Sequence, residues 1–242
     1  MFNAHQHHHH SPHDHGHDSN VEANRTHFDE SAAKYEDDPV FIEFAEKVGI
    51  AIREVYPFDP NSTTALDFAC GTGLTTRSYA PYVKSVLGVD ISQKMLDKFM
   101  KQAEEKGFAD KVTCVCTELK GAEGELDGLK FDIITCSMAY HHFHSIKDIT
   151  TILCNYLKPN GMLLVIDIEA PEVEAGSENP IFEKMKDHDS VAHKHGFGVE
   201  EMKTVFEGAG LVSFDMKHVT HASLVGKFDF DAFLAKGVKP AN

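Results

Sequence analysis

The stretch Leu66-Asp67-Phe68-Ala69-Cys70-Gly71-Thr72-Gly73 decides the fold. Thr64 to Ala69 reads as a short buried strand, and it runs straight into a tight glycine turn. Glycines at that point let the backbone approach a ligand closely, and a helix that follows opens with free N–H groups. A dinucleotide site also places glycines after its first strand, but in the order G-x-G-x-x-G. Here the flanking positions are Ala69 and Thr76, and an acid, Asp67, stands four positions before Gly71. The dinucleotide fingerprint is incomplete, which disfavours a nicotinamide-dependent oxidoreductase.

Outward from this turn, strand-like and helix-like segments alternate. Ser85 to Asp90 is a second buried strand, and Asp90 comes 17 residues after Gly73. A carboxylate at that point can accept both hydroxyls of a ribose. Ser92 is placed to cap a helix with Met95, Leu96, Phe99 and Met100 on one face, closed by Gly107. Val112 to Cys116 and Phe131 to Cys136 are further strands, Ile146 to Leu157 a helix, and Pro159-Asn160-Gly161 turns into the strand Met162 to Ile168. A helix at Val199 to Gly208 precedes strands near 211–219 and 224–235, an antiparallel pair at one edge. Before the first strand, Phe41, Ile42, Ala45, Val48, Ile52 and Val55 mark an amphipathic helix over 39–56. The expected fold is α/β, a doubly wound, seven-stranded, mostly parallel sheet with an antiparallel edge strand and helices on both faces.

The chain has 242 residues and a formal charge of −15. That balance argues against a nucleic-acid or anionic-membrane partner, since phosphate backbones are met by clustered Lys and Arg. No apolar run approaches the roughly 20 residues that span a bilayer, and Met1 to Asn20 holds no signal-peptide core. Five cysteines lie mostly inside apolar runs, and Cys114 and Cys116, at strand period, face one way. They read as reduced, buried thiols of a cytoplasmic or nuclear protein. Residues 1–20 carry eight histidines and almost no apolar surface, so a disordered tail that binds divalent metal weakly is expected there. Residues 21–242 then form one domain: an N-terminal lid and helix over 21–60, a core over 61–169, and an excursion over 170–198.

The ordered set ALDFACGTG (65–73), VLGVDIS (86–92), CTEL (116–119), FDIITCSMAYHHF (131–143) and LKPNGMLLVID (157–167) resembles the class I S-adenosylmethionine-dependent methyltransferases. The resemblance covers residues 27–220 and implies S-adenosyl-L-methionine as cofactor and S-adenosyl-L-homocysteine as product. It implies that Asp67, Gly71, Thr72 and Gly73 shape the methionine end of the pocket, with Ala69 where many members have glycine. An alanine fits there at negative φ. It also implies Asp90 on the ribose, Ile91 and Met95 beside the adenine, Thr117, Glu118 and Leu119 at the adenine edge, and Ser137 under the cofactor. The segment Phe28 to Tyr35 is similar to the part that closes over the cofactor in small-molecule members, with Tyr35 as the lid.

The acceptor is left open by that resemblance. The loop after the fourth strand supplies Tyr140, His141, His142 and His144, and the excursion supplies His188, Asp189, His193 and His195. An imidazole suits the removal of a proton from an acceptor, so His141, His142, His193 and His195 are the candidate catalytic residues. In the family one of the two adjacent histidines usually packs structurally. His188, His193 and His195, with Asp167 or Asp189, could hold a metal, but their spacing matches no standard pattern and no metal site is assigned. The rest of the expected cavity wall is Met138, Phe143, Phe182, Met185 and Phe197, which suits an uncharged or weakly polar small molecule; the three phenylalanines of FDFDAF (228–233) are read as one packed face. A catalytically inactive protein that senses the cofactor is the alternative reading.

Overall fold

Apolar runs and glycine turns produce seven strands: β1 (Thr64–Phe68), β2 (Ser85–Asp90), β3 (Val112–Cys116), β4 (Phe131–Ser137), β5 (Leu157–Ile168), β6 (Val212–Leu224) and β7 (Phe228–Val238). Between and before them lie α1 (Asp14–Tyr35), α2 (Pro39–Val55), α3 (Thr76–Tyr79), α4 (Gln93–Lys106), α5 (Ile146–Tyr156) and α6 (Val199–Gly208). The structure is a computed structural model that describes residues 14–35, 38–171, 191–224 and 228–241. Helix α4 has the limits its caps dictate. Ser92 Oγ accepts from Met95 N at 3.2 Å, and Gly107 closes the helix at φ 76°, a conformation that favours glycine.

The strands form one sheet in the order β3-β2-β1-β4-β5-β7-β6. The first five are parallel to their neighbours; β7 runs antiparallel to both β5 and β6. The antiparallel pair stands at one edge, with the reversed strand, β7, second from it. Side chains alternate between two cores. Ala65, Ile133, Leu164 and Ile166 face α2 and α4 residues such as Ile52 and Phe99. Leu66, Ile134, Leu163 and Val165 face Leu153, Met202 and Phe206 of α5 and α6. Burial on both faces is why these strands read as unbroken apolar runs.

Several expectations are corrected. Helix α1 begins at Asp14, inside the segment expected to be disordered; residues 1–13, with most of the tail histidines, lie outside the described residues. Strand β5 starts at Leu157, and the expected turn persists as a left-handed Asn160 (φ 63°) and a shift of register against β4. Phe230 and Phe233 pack into opposite cores, because residues three apart on a strand point to opposite faces. Cys116 is exposed, since β3 is itself an edge strand.

Helix α2 approaches α3 through Gly49, where a Cβ would collide with the Cβ and Oγ of Ser78. Gly49→Ala gains about 1 kcal/mol of helix propensity but overpacks by about 1–3 kcal/mol. A melting temperature lower by up to roughly 8 °C is expected by calorimetry; a rise would show that the two helices separate freely.

Candidate active site

The carboxyl ends of β1 to β5 meet at one rim of the sheet, and the strand order reverses between β1 and β4. Open α/β sheets bind ligands in the crevice at such a reversal. The loop after β1 enters it through three left-handed residues, Ala69 (φ 53°), Gly71 (φ 53°) and Gly73 (φ 77°). At Gly73 a Cβ would strike the Phe99 ring, whereas at Gly71 it would meet nothing within 4 Å. Gly73 thus serves packing, and Gly71 leaves open space. The negative φ expected at Ala69 is overturned: the alanine sits in the conformation that elsewhere in this loop is reserved for glycine.

Asp90, at the end of β2, binds this loop directly. Its Oδ2 accepts from Gly71 N at 2.8 Å and its Oδ1 from Ser92 N at 2.9 Å. Each oxygen keeps a second lone pair for a hydroxyl. Burial pushes its pKa up, against the opposing pull of the Ser92 and Gly71 amides. Asp67 faces inward instead. Its Oδ2 accepts from Thr76 Oγ1, and its Oδ1 from Thr135 Oγ1 at 3.0 Å. Burial dominates there and pushes the Asp67 pKa up to about 6. Asp67 therefore shapes the loop from behind.

The remaining expected cofactor residues gather on the same rim. Thr72 and Met95 are buried, and Ile91 lies half-buried beside Asp90. Thr117 N donates to Asp90 O at 3.0 Å, Leu119 is buried, and Glu118 pairs with Lys120 at 3.3 Å. Ser137 ends β4, next to Met138, which is held left-handed (φ 54°) while its N donates to Ile166 O at 2.8 Å. Tyr35 ends α1, and its side chain lies outside the described residues. Sequence reasoning missed Glu125. Its carboxylate accepts from the N–H groups of Lys120, Gly121 and Ala122 and from Tyr156 Oη at 2.6 Å, which fixes the turn that carries Glu118.

Of the histidines expected around an acceptor, the structure brings His141, His142 and His193 together. The amides of Ala192 and His193 both donate to His141 O at 2.9 Å, so the end of the excursion lies against the loop after β4. The rings of His141 and His142 are 4.1 Å apart. His193 sits 5.2 Å from Phe197, and burial lowers its pKa. His195 is exposed. His188, Asp189, Phe182 and Met185 lie outside the described residues. Asp167, named from the sequence only as a possible metal ligand beside His188, His193 and His195, is fully buried at the end of β5, 2.8 Å from His141 Nδ1. That pairing has no signal in LLVID, an ordinary strand end.

Residues 65–161 match the family model described as a methyltransferase domain. An uncharacterized methyltransferase of Schizosaccharomyces pombe is 36% identical over 168 residues, 67% of this chain and 55% of its own length. The chain thus spans about half of that relative. The uncharacterized methyltransferase YcgJ of Bacillus subtilis is 26% identical over 228 residues, covering 90% of this chain and 81% of the relative. Among solved structures, the Haemonchus contortus phosphoethanolamine N-methyltransferase 2 in complex with phosphomonomethylethanolamine and S-adenosylhomocysteine shares the fold at a TM-score of 0.68 and 16% identity, over 90% of this chain and 60% of that one. Fold, motif order and these matches together place the chain in the class I S-adenosylmethionine-dependent methyltransferase family.

Two outcomes are expected of this geometry. A left-handed alanine costs about 1–2 kcal/mol, while glycine loses about 0.4–1 kcal/mol through the unfolded chain. Ala69→Gly should therefore raise stability by up to about 1.6 kcal/mol in urea titrations; a loss would mean that the packing of the methyl outweighs the strain. For Asp67, the folded chain holds the proton more tightly than the unfolded one between pH values of about 4 and about 6. Its contribution to stability then falls as pH rises through that window. Asp67→Asn should flatten that slope; parallel slopes would show Asp67 ionised throughout.

Proposed function

We propose that this chain moves a methyl group from S-adenosylmethionine to a small-molecule acceptor bound at the carboxyl ends of β4 and β5. The observation that carries this reading is Asp90, which grips the glycine loop and the start of α4 while lying at the crevice rim. The donor set fits the cofactor. Carboxylates at Asp90 and Glu118 suit ribose hydroxyls and an adenine amine, Ile91, Met95 and Leu119 supply an apolar lining, and Gly71 leaves room for close approach. When bound, the cofactor supplies an electrophilic methyl group on a positively charged sulfur.

The protein's own work is to orient and to exclude water. Asp67, through Thr76 and Thr135, holds the loop that would flank the methionine end. Helix α1 crosses the rim: Arg25 Nε donates to Ile91 O at 3.3 Å, and Ser92 Oγ donates to Asp29 Oδ1 at 2.5 Å. Phe28 meets His142 edge-on at 5.0 Å. Residues 14–35 are thus read as the cover of the cofactor, and the face formed by Phe28, Phe143 and the histidines as the acceptor wall. Holding two reactants aligned and dry is the larger part of what such a displacement asks of an enzyme. The five free cysteines fit the reducing cytoplasm.

S-adenosylhomocysteine should raise the melting temperature with concentration, because it binds the folded state alone. Asp90→Ala should weaken that binding by about 10–100-fold, the worth of hydrogen bonds to a charged acceptor. Isothermal calorimetry decides it, and equal affinity in the two proteins would remove Asp90 from the site.

A further inference from the structure

The turn Tyr140–His142 carries an arrangement that holding a cofactor does not require. His141 Nδ1 lies 2.8 Å from Asp167 Oδ1. The same carboxylate accepts from Ile168 N at 2.7 Å through Oδ1 and from His141 N at 3.3 Å through Oδ2. With two backbone donors already on it, the carboxylate acts as an acceptor, so the imidazole proton stays on Nδ1 and Nε2 keeps its lone pair. None of the described hydrogen bonds engages Nε2. Rotation of the turn is blocked from the other side, where the amides of Ala192 and His193 hold His141 O.

A link between β4 and β5 does not need this pair, because Met138 N already donates to Ile166 O there. Burying a carboxylate to orient an imidazole is costly, and such pairs belong where a ring must receive a proton in a set direction. The neighbours fit that use. The His142 ring lies tilted against that of His141, and Phe28 of α1 meets His142 edge-on. The buried Nε2 of His193 has no hydrogen-bond partner among the described residues, and burial lowers the pKa of that ring.

We propose that His141, oriented by Asp167, is the general base of the transfer, and that the acceptor is therefore a phenol or enol hydroxyl. This inference rests on the methyl-transfer reading above. As the acceptor oxygen forms its bond to the methyl carbon and the carbon–sulfur bond breaks, the hydroxyl proton passes to His141 Nε2. The sulfur leaves as a neutral thioether, and the positive charge passes to the imidazolium, beside the Asp167 carboxylate, before the proton returns to solvent. A carboxylic acid, or a thiol as acidic as thiophenol, is ionised near neutral pH and has no use for the pair, whereas a hydroxyl has, and of the hydroxyls a phenol or enol gives up its proton most readily. A phenol, with a pKa of about 10, lies in reach. Asp167 is the positioning residue.

Two measurements test this. In protein labelled with 15N-histidine, the His141 imidazole, assigned by its loss in His141→Gln, should show Nδ1 protonated and Nε2 bare, and Asp167→Asn should mix the tautomers. In turnover assays near neutral pH, His141→Gln should slow methylation of 4-methylphenol by roughly 10²–10⁴-fold. Methylation of thiophenol, already ionised, should fall less than about tenfold, with S-adenosylhomocysteine binding unchanged. Asp167→Asn should follow the same pattern. A protonated Nε2 in the wild type overturns the proposal, and so does an equal loss on both probes. Failure of a wild type that binds S-adenosylhomocysteine to methylate 4-methylphenol overturns the acceptor class. Should Asp167→Asn fail to fold, the wild-type nitrogen shifts still decide the pair; should His141→Gln fail, His141→Asn takes its place in the assignment and the assays. Failure of the wild type to bind S-adenosylhomocysteine would instead bring down the methyl-transfer reading and leave the tautomer result standing.

Discussion

The carboxylate of Asp67 ties together the parts on which the crevice depends. It leaves β1, takes a hydroxyl from Thr135 on β4 and another from Thr76 at the start of α3, and Tyr79 Oη closes the circuit on Thr135 at 2.9 Å. These three elements meet where the strand order reverses. A buried carboxylate is costly unless its oxygens are satisfied, and a half-satisfied network is costlier still. The hydroxyls therefore stay in place, and with them the entry and exit of the loop from Ala69 to Gly73. Asp90 repeats the device one strand over, this time with backbone N–H donors. The glycine loop is fixed at both ends before any ligand arrives.

Much of this was legible in the sequence, for reasons that differ by element. Period and burial gave the parallel strands, because a strand covered on both faces has to be apolar throughout. Capping chemistry gave α4 to the residue, since Ser92 and Gly107 each satisfy groups that a helix end leaves bare. The glycine loop announced a close approach of backbone to ligand, and Gly71 shows the open space. The same loop misled at Ala69. Nothing local in an alanine signals φ 53°; the conformation comes from the loop's anchors, Asp67 on one side and Asp90 on the other, which override the preference of the residue.

The rest was not legible because it lies in pairings between distant segments. Asp167 is one polar letter at the end of an apolar run, and its meaning appears only when β5 lies beside β4 and His141 turns back over it. Glu125 sits in a loop with no periodicity, and only the fold shows three backbone amides converging on it. Cys116 shares a face with Cys114, as strand period requires, but the last strand on its side of the sheet has no neighbour to cover it. Facing the same way is a local property; being buried is not.

Helix α1 shows the same division and carries it to function. It has too few apolar residues for an amphipathic pattern, so its own sequence gives it little reason to be a helix, and its stability has to come from what it touches. Those contacts fall on one stripe, with Asn24, Arg25, Phe28, Asp29 and Ala32 at helical spacing. Arg25 and Asp29 hold the end of β2 through Ile91 and Ser92, while Asn24 and Phe28 hold His142 beyond β4. The helix therefore bridges the ends of β2 and β4 across one crevice. Among the side chains described, Ala32 is its one buried apolar residue, against a sheet held by continuous ladders and two cores. Elements with few buried apolar contacts open at the low end of the stability range. Asp67 and Asp90 are held without it, by Thr76, Thr135 and the amides of Gly71 and Ser92, and Ser92 marks the seam: its Oγ caps α4 and donates to Asp29.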